Sequence, residues 1–150
     1  MPYPPALRIN GWLTSLNGRI GSFRYFPRQP YDVSDLTGRT LASIAFQQGK
    51  GALVGGWAAG APSGLFTGQY VTIGDQLLHI GSASANADAQ GRVTIAFEPS
   101  LRASYAAGTP VNFTSPYGIF RLSSSEGTTF TLNPDRINDF GTIEAREVVL

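Results

Sequence analysis

The chain has 150 residues, a net charge of +1 and only 14% charged side chains, against about 25% in a typical soluble domain. That near-neutral balance, with basic residues spread along the chain, offers no electrostatic footprint for specific nucleic-acid binding. The absence of cysteine excludes disulfides and thiolate metal sites, and no run approaches the roughly eighteen apolar residues of a membrane helix, so no membrane insertion is expected.

One domain over residues 1–150 is expected at this length. Met1-Pro-Tyr-Pro-Pro5 has neither the basic end nor the apolar run of a secretory signal, so synthesis in the cytoplasm without export is the expectation. The first element is a helix over about 4–17. Ile9, Trp12, Leu13 and Leu16 fall at i, i+3, i+4 and i+7 and form one apolar stripe. Pro4 and Pro5 suit its first turn, and Asn17-Gly18 suits a left-handed stop. A helix this short is marginal in water, so its stripe docks either on the sheet or on a neighbouring subunit.

Strands are expected from about residue 20 to 149, with a variable hairpin and loop region over 27–66. Ile20 to Phe26 reads as a strand ended by Pro27. The polar, turn-rich stretch from Arg28 to Arg39 reads as a loop. Thr40 to Gln48 and Ala52 to Trp57 read as two strands around a turn at Gly49-Lys50-Gly51, and Ala58 to Gly64 as a loop. Tyr70 to Ile73, a turn at Gly74-Asp75, and Gln76 to Ile80 form the clearest hairpin. The segment from Asn86 to Gly91 reads as a further turn, followed by strands at Gly91 to Pro99, Val111 to Thr114 and Gly118 to Leu122. Thr128 to Leu132, a turn at Asn133-Pro134-Asp135, and an imperfectly alternating edge strand from about Thr142 to Val149 complete the chain. The fold class is therefore mainly β: an antiparallel sandwich or barrel-like domain with one N-terminal α-helix.

Reactive chemistry is sparse. His79 is the sole histidine, so one chain cannot supply a His-pair metal site. A triad of His79 with Asp75 or Asp88 and a serine lacks a nucleophile motif. Glu98, Glu144 and Glu147 show no spacing that places two carboxylates across a groove. Gly49-Lys50-Gly51 is a turn and not a phosphate cradle, and Asn86-Ala-Asp-Ala-Gln-Gly91 has too few oxygens for a calcium loop. No catalytic, cofactor-binding or metal-ligating residue is assigned, and the chain is read as a non-enzyme. Among eleven basic residues only Lys50 is a lysine, and arginine is the cation favoured at interfaces. Arg121, Glu144, Arg146, Glu147, Trp12 and Trp57 are the candidate subunit-contact residues.

The order of pieces in the second half is similar to that of a known family. Gly68-Gln-Tyr-Val-Thr-Ile-Gly-Asp-Gln-Leu-Leu-His79, Asp88-Ala-Gln-Gly-Arg-Val-Thr-Ile95, Glu98-Pro-Ser-Leu-Arg102, Gly108-Thr-Pro-Val111 and Pro116-Tyr-Gly-Ile-Phe-Arg-Leu122 together resemble small tail structural proteins of long-tailed bacteriophages and prophages. Trp12-Leu-Thr-Ser-Leu-Asn-Gly-Arg-Ile-Gly-Ser-Phe23 resembles the helix and Gly-x-Phe strand of that family. The resemblance implies a distal-tail or baseplate component, located in the virion tail. It would form a hexameric ring, with a trimer as the rival, and contact tail-tube and other baseplate proteins while DNA passes through the lumen unbound. The charge-poor surface independently fits a subunit in contact with its own copies. The alternative is a carbohydrate-binding β-sandwich module acting in host-surface adhesion, with Trp57, Tyr70, Tyr105 and Tyr117 as sugar platforms; a cell-wall hydrolase using Glu98 or His79 is a third reading.

Overall fold

Antiparallel strands form where β-branched and aromatic residues alternate with polar ones, and each ends where a turn residue reverses the chain. The computed structural model describes residues 4–17, 19–29, 32–123, 131–132, 138–139 and 143–148. In chain order the elements are α1 (Pro4–Ser15), β1 (Ser22–Tyr25), a 3₁₀ turn (Ser34–Leu36), β2 (Thr40–Leu41), β3 (Gly51–Gly55), β4 (Tyr70–Ile73), β5 (Gln76–Ala83) and β6 (Arg92–Glu98). They continue with β7 (Val111–Asn112), β8 (Gly118–Leu122), β9 (Thr131–Leu132), β10 (Asn138–Asp139) and β11 (Ala145–Glu147). Contacts sort the chain into two compact units, one over Tyr25–Gly118 and the other from Met1–Arg24 with Ile119–Val148.

The larger unit is a six-stranded sheet in the order β2-β3-β6-β5-β4-β7, antiparallel at every named pairing. Its two ends meet. Leu41 N–H donates to the Thr109 carbonyl at 2.9 Å, and Val111 N–H donates to the Arg39 carbonyl at 2.9 Å. Further along, Ala45 and Tyr105 exchange two backbone hydrogen bonds, at 2.9 and 2.8 Å, and Gln48 N–H donates to the Leu101 carbonyl at 2.7 Å. Residues 39–49 and 101–111 thus form the seam of a barrel. Closing it satisfies backbone groups that an open sheet would leave at its edges.

Alternation fills the interior. Val93, Ile95 and Phe97 of β6 point inward and Thr94, Ala96 and Glu98 outward. Leu78 and Ile80 of β5 and Val71 and Ile73 of β4 join them, with Val54, Val111 and Phe113, in one buried cluster. Two buried polar side chains act as fasteners, and a third does not. Gln76 donates to the Ser100 carbonyl and accepts from Arg102 N–H, both at 2.9 Å. Thr72 Oγ1 donates to the Tyr117 carbonyl at 2.7 Å and accepts from Tyr117 N–H. Gln69 accepts only a long bond from Phe66 N–H, 3.4 Å, and its amide nitrogen has no partner.

The expected turn at Gly49-Lys50-Gly51 is corrected. β2 ends at Leu41, and Phe46 to Gly49 make the reversal, with Gln48 at φ +64° and Gly49 N–H bonded to the Phe46 carbonyl. The cause is tertiary: the backbone of Ala45 and Gln48 pairs with residues 101–105 instead of with β3.

In the smaller unit, Leu13 and Leu16 of α1 pack with Leu122 and Phe23. The Trp12 ring meets Phe23 edge-on at 5.0 Å, and Phe23 stacks on Phe120 at 6.3 Å. Asn17 at φ +49° terminates the helix in the left-handed conformation expected there. A three-stranded sheet runs β1-β8-β11, and β9 pairs with β10 separately. Residues 128–130 of the expected Thr128–Leu132 strand, and the Asn133-Pro134-Asp135 turn, lie outside the described residues.

Candidate interaction surfaces

His79 lies on the outer side of β5, exposed, with Tyr70 and Glu98 as its cross-strand neighbours. Its ring is tilted on Tyr70 at 5.1 Å. Glu98 pairs with Lys50 at 2.7 Å, both well exposed. The two aspartates considered for a triad are engaged elsewhere: Asp75 accepts the Tyr117 hydroxyl at 2.8 Å, and Asp88 closes its own turn. Asp88 Oδ1 accepts from Gln90 and Arg92 N–H, and Oδ2 accepts from Arg92 Nε at 2.8 Å. Desolvation pushes the Asp88 carboxyl up, but those Arg92 and Gln90 bonds outweigh it and hold it below the usual aspartate range. Among the described residues no group of three His, Cys, Asp or Glu side chains could hold a metal ion.

A cleft of about 310 Å³ opens beside Leu36–Arg39 and Pro110–Thr114. Its charged lining residue, Arg39, is held through both terminal nitrogens, though its buried Nε has no partner among the described residues. Nη2 donates to the Asp35 carbonyl at 2.9 Å, Nη1 donates to the Gly56 carbonyl, and the guanidinium lies 4.3 Å over the Trp57 ring. Trp57 is further fixed by Nε1 donating to the Ser63 carbonyl at 3.0 Å and by edge contact with Phe113. As a subunit-contact candidate it is therefore half-buried, with one face covered from within the chain. Of the other aromatics considered for sugar binding, Tyr105 packs against the barrel core and Tyr117 lies against Phe26 at 5.7 Å.

The side chains that stand out are apolar. Ile44 is 54% and Phe46 67% exposed, while Ala45 between them is buried and held by its two bonds to Tyr105. An extended segment pinned at its middle residue holds both neighbours outward on one side. Ile20, Tyr25 and Phe26 are also more than half exposed. Sequence reasoning missed Ile44 and Phe46 because Thr40 to Gln48 reads as a half-buried strand. The signal was there: Leu41 and Ala45 share one parity and Ile44 and Phe46 the other, so both faces are apolar and one must stay outside.

Four of the six predicted contact residues converge on one sheet. β11 pairs with β8 so that Arg146 stands opposite Arg121, Glu147 opposite Phe120 and Ala145 opposite Leu122. The Glu144 carbonyl accepts from Ser123 N–H at 2.9 Å. Arg146 and Glu144 are exposed, and Arg121 is half-buried with no partner for its Nε. Trp12 belongs to the same unit, 39% exposed on α1, whereas Trp57 belongs to the barrel. No family model, curated protein or solved structure matches this chain.

Proposed function

We propose that this chain is a self-associating structural subunit of a long-tailed bacteriophage tail. The reading is of a distal-tail or baseplate ring component, six-membered with three as the rival. The ordered turn-and-strand motifs from Gly68 to Leu122 support the tail assignment. The observation that carries self-association is the pair Ile44 and Phe46, held outward on a nearly closed barrel. Their neighbours Ala42, Ser43, Gln47 and Gln48 are all exposed and uncharged. A fixed apolar pair flanked along the chain by uncharged residues gains by burial against another protein surface.

The test is mass and shape. Purified protein in multi-angle light scattering should give a closed multimer, seen as rings in negative stain. Ile44→Ser/Phe46→Ser should dissociate it, with the β-sheet circular dichroism and melting temperature unchanged because neither side chain is in the core. A monomer at every concentration, or rings unaffected by the double substitution, would overturn the reading of this surface.

A further inference from the structure

We propose that β11 pairs with β11 of a second copy, antiparallel, about a two-fold axis through Ala145. β11 is the end strand of its three-stranded sheet. Glu144 accepts from Ser123 N–H, and Val148 donates to the Ile119 carbonyl. The even-numbered residues therefore direct their backbone groups at β8. By alternation, the N–H and C=O of Ala145 point away from β8, to the side where no described strand pairs with β11. Ala145 itself is exposed and small, so a second backbone meets no bulk there.

Charge selects the register. Side chains of 144 and 146 share a face with Arg121, opposite the face where Leu122 and Phe120 meet Phe23. In two-fold pairing, residue i opposes residue j with i + j constant. An axis at Glu144, Arg146 or Glu147 sets a like charge against itself, which is unfavourable across a ladder. An axis at Ala145 opposes Glu144 of each copy to Arg146 of the other, twice. The row across the four strands then reads Arg121, Arg146, Glu144 of the second copy, Ser123 of the second copy. In one chain Arg146 and Arg121 stand side by side as like charges; the incoming carboxylate relieves that repulsion. The segment Glu144-Ala145-Arg146 is complementary to itself, and that argues for a second copy as occupant over an unrelated strand.

This rests on the self-association proposed above only in its choice of partner, and a charge-swap cycle separates the two. Sedimentation velocity over a concentration series should show a reversible association step that Glu144→Arg alone and Arg146→Glu alone each weaken roughly tenfold or more, since each reversal creates two like-charge pairs. The double reversal, Glu144→Arg/Arg146→Glu, should restore it. Ala145→Pro removes the edge N–H, is tolerated at an open strand edge, and should abolish the step with the circular dichroism unchanged. Association unaffected by the single reversals, or a double reversal as weak as the singles, overturns the pairing while leaving self-association standing. A chain monomeric at all concentrations overturns both.

Discussion

Two glycines with the same backbone angle allow a contact to be weighed apart from conformation. Gly60 and Gly91 both sit at φ +71°. A Cβ at Gly60 would have nothing within 4 Å, whereas a Cβ at Gly91 would lie 2.1 Å from the Trp57 carbonyl oxygen. The left-handed conformation costs an L-residue about 1–2 kcal/mol, partly offset by roughly 0.4–1 kcal/mol from the stiffer unfolded chain. Gly60→Ala should therefore destabilise by about 1 kcal/mol. Gly91→Ala carries the same term plus the clash, and the clash is with backbone. Trp57 cannot simply retreat, because its N–H donates to the Gly91 carbonyl at 3.1 Å, its Nε1 is tied to Ser63, and Arg39 covers its ring. Losing the Trp57–Gly91 bond adds about 1 kcal/mol, and forcing a methyl into packed surroundings adds about 1–3 kcal/mol. The expected total is about 3–5 kcal/mol, so the two variants should differ by at least about 2 kcal/mol. Urea titration followed by far-ultraviolet circular dichroism, at matched concentration, measures both. Variants equal within about 0.5 kcal/mol would refute the reasoning, since the two share their backbone angle and only Gly91 has a Cβ position that meets the Trp57 carbonyl.

Gln76→Leu strips the partners from the Ser100 carbonyl and Arg102 N–H and should cost about 2–4 kcal/mol by the same titration. Gln69→Leu, which deletes an amide nitrogen that already lacks a partner, should cost distinctly less; the reverse order would show that Gln76 is not a fastener. Asp88 gives a pH test. Its folded carboxyl lies below its unfolded value, so its stabilisation is complete above about pH 4 and is lost as pH falls through the folded value. Melting temperatures of the parent and Asp88→Asn should differ by a constant gap at neutral pH that closes in strong acid, and a gap that widens with acid would contradict the sign.

Local chemistry carried much of this fold. The Asn17 helix stop, the Gly74-Asp75 hairpin between Ile73 and Gln76, and the run Gly118–Leu122 lie where turn residues and alternation place them. The fold class also reads directly from period-two patterning. What could not be read is the seam. Residues 101–109 show no alternation, because they bond to 41–49 through scattered backbone contacts that leave no side-chain period. The same remote pairing drew the reversal from Gly49-Lys50-Gly51 to Phe46–Gly49. At the candidate surface, the charges were visible from type alone. That Arg121 and Arg146 are register partners depends on a pairing between strands over twenty residues apart, and spacing does not encode it.

Barrel closure decides what kind of contact each unit can make. With β2 bonded to the segment leading into β7, the barrel has no long free ladder among the described residues, so an approaching copy meets side chains there. Among the described residues the smaller unit has β11 at the end of its sheet, where backbone and alternating charge act together. The two contacts also differ in symmetry. A strand paired to its own copy about a two-fold axis is satisfied by one partner and closes at two. A ring requires a surface on each subunit that meets a different surface on the next, and the apolar pair Ile44 and Phe46 carries no such two-fold restriction. If both operate, assemblies held through Ile44 and Phe46 are cross-linked to one another through Ala145. Reversing the charge at Arg146 should then lower the particle mass while the Ile44 and Phe46 contact persists, whereas removing Ile44 and Phe46 should leave dimers.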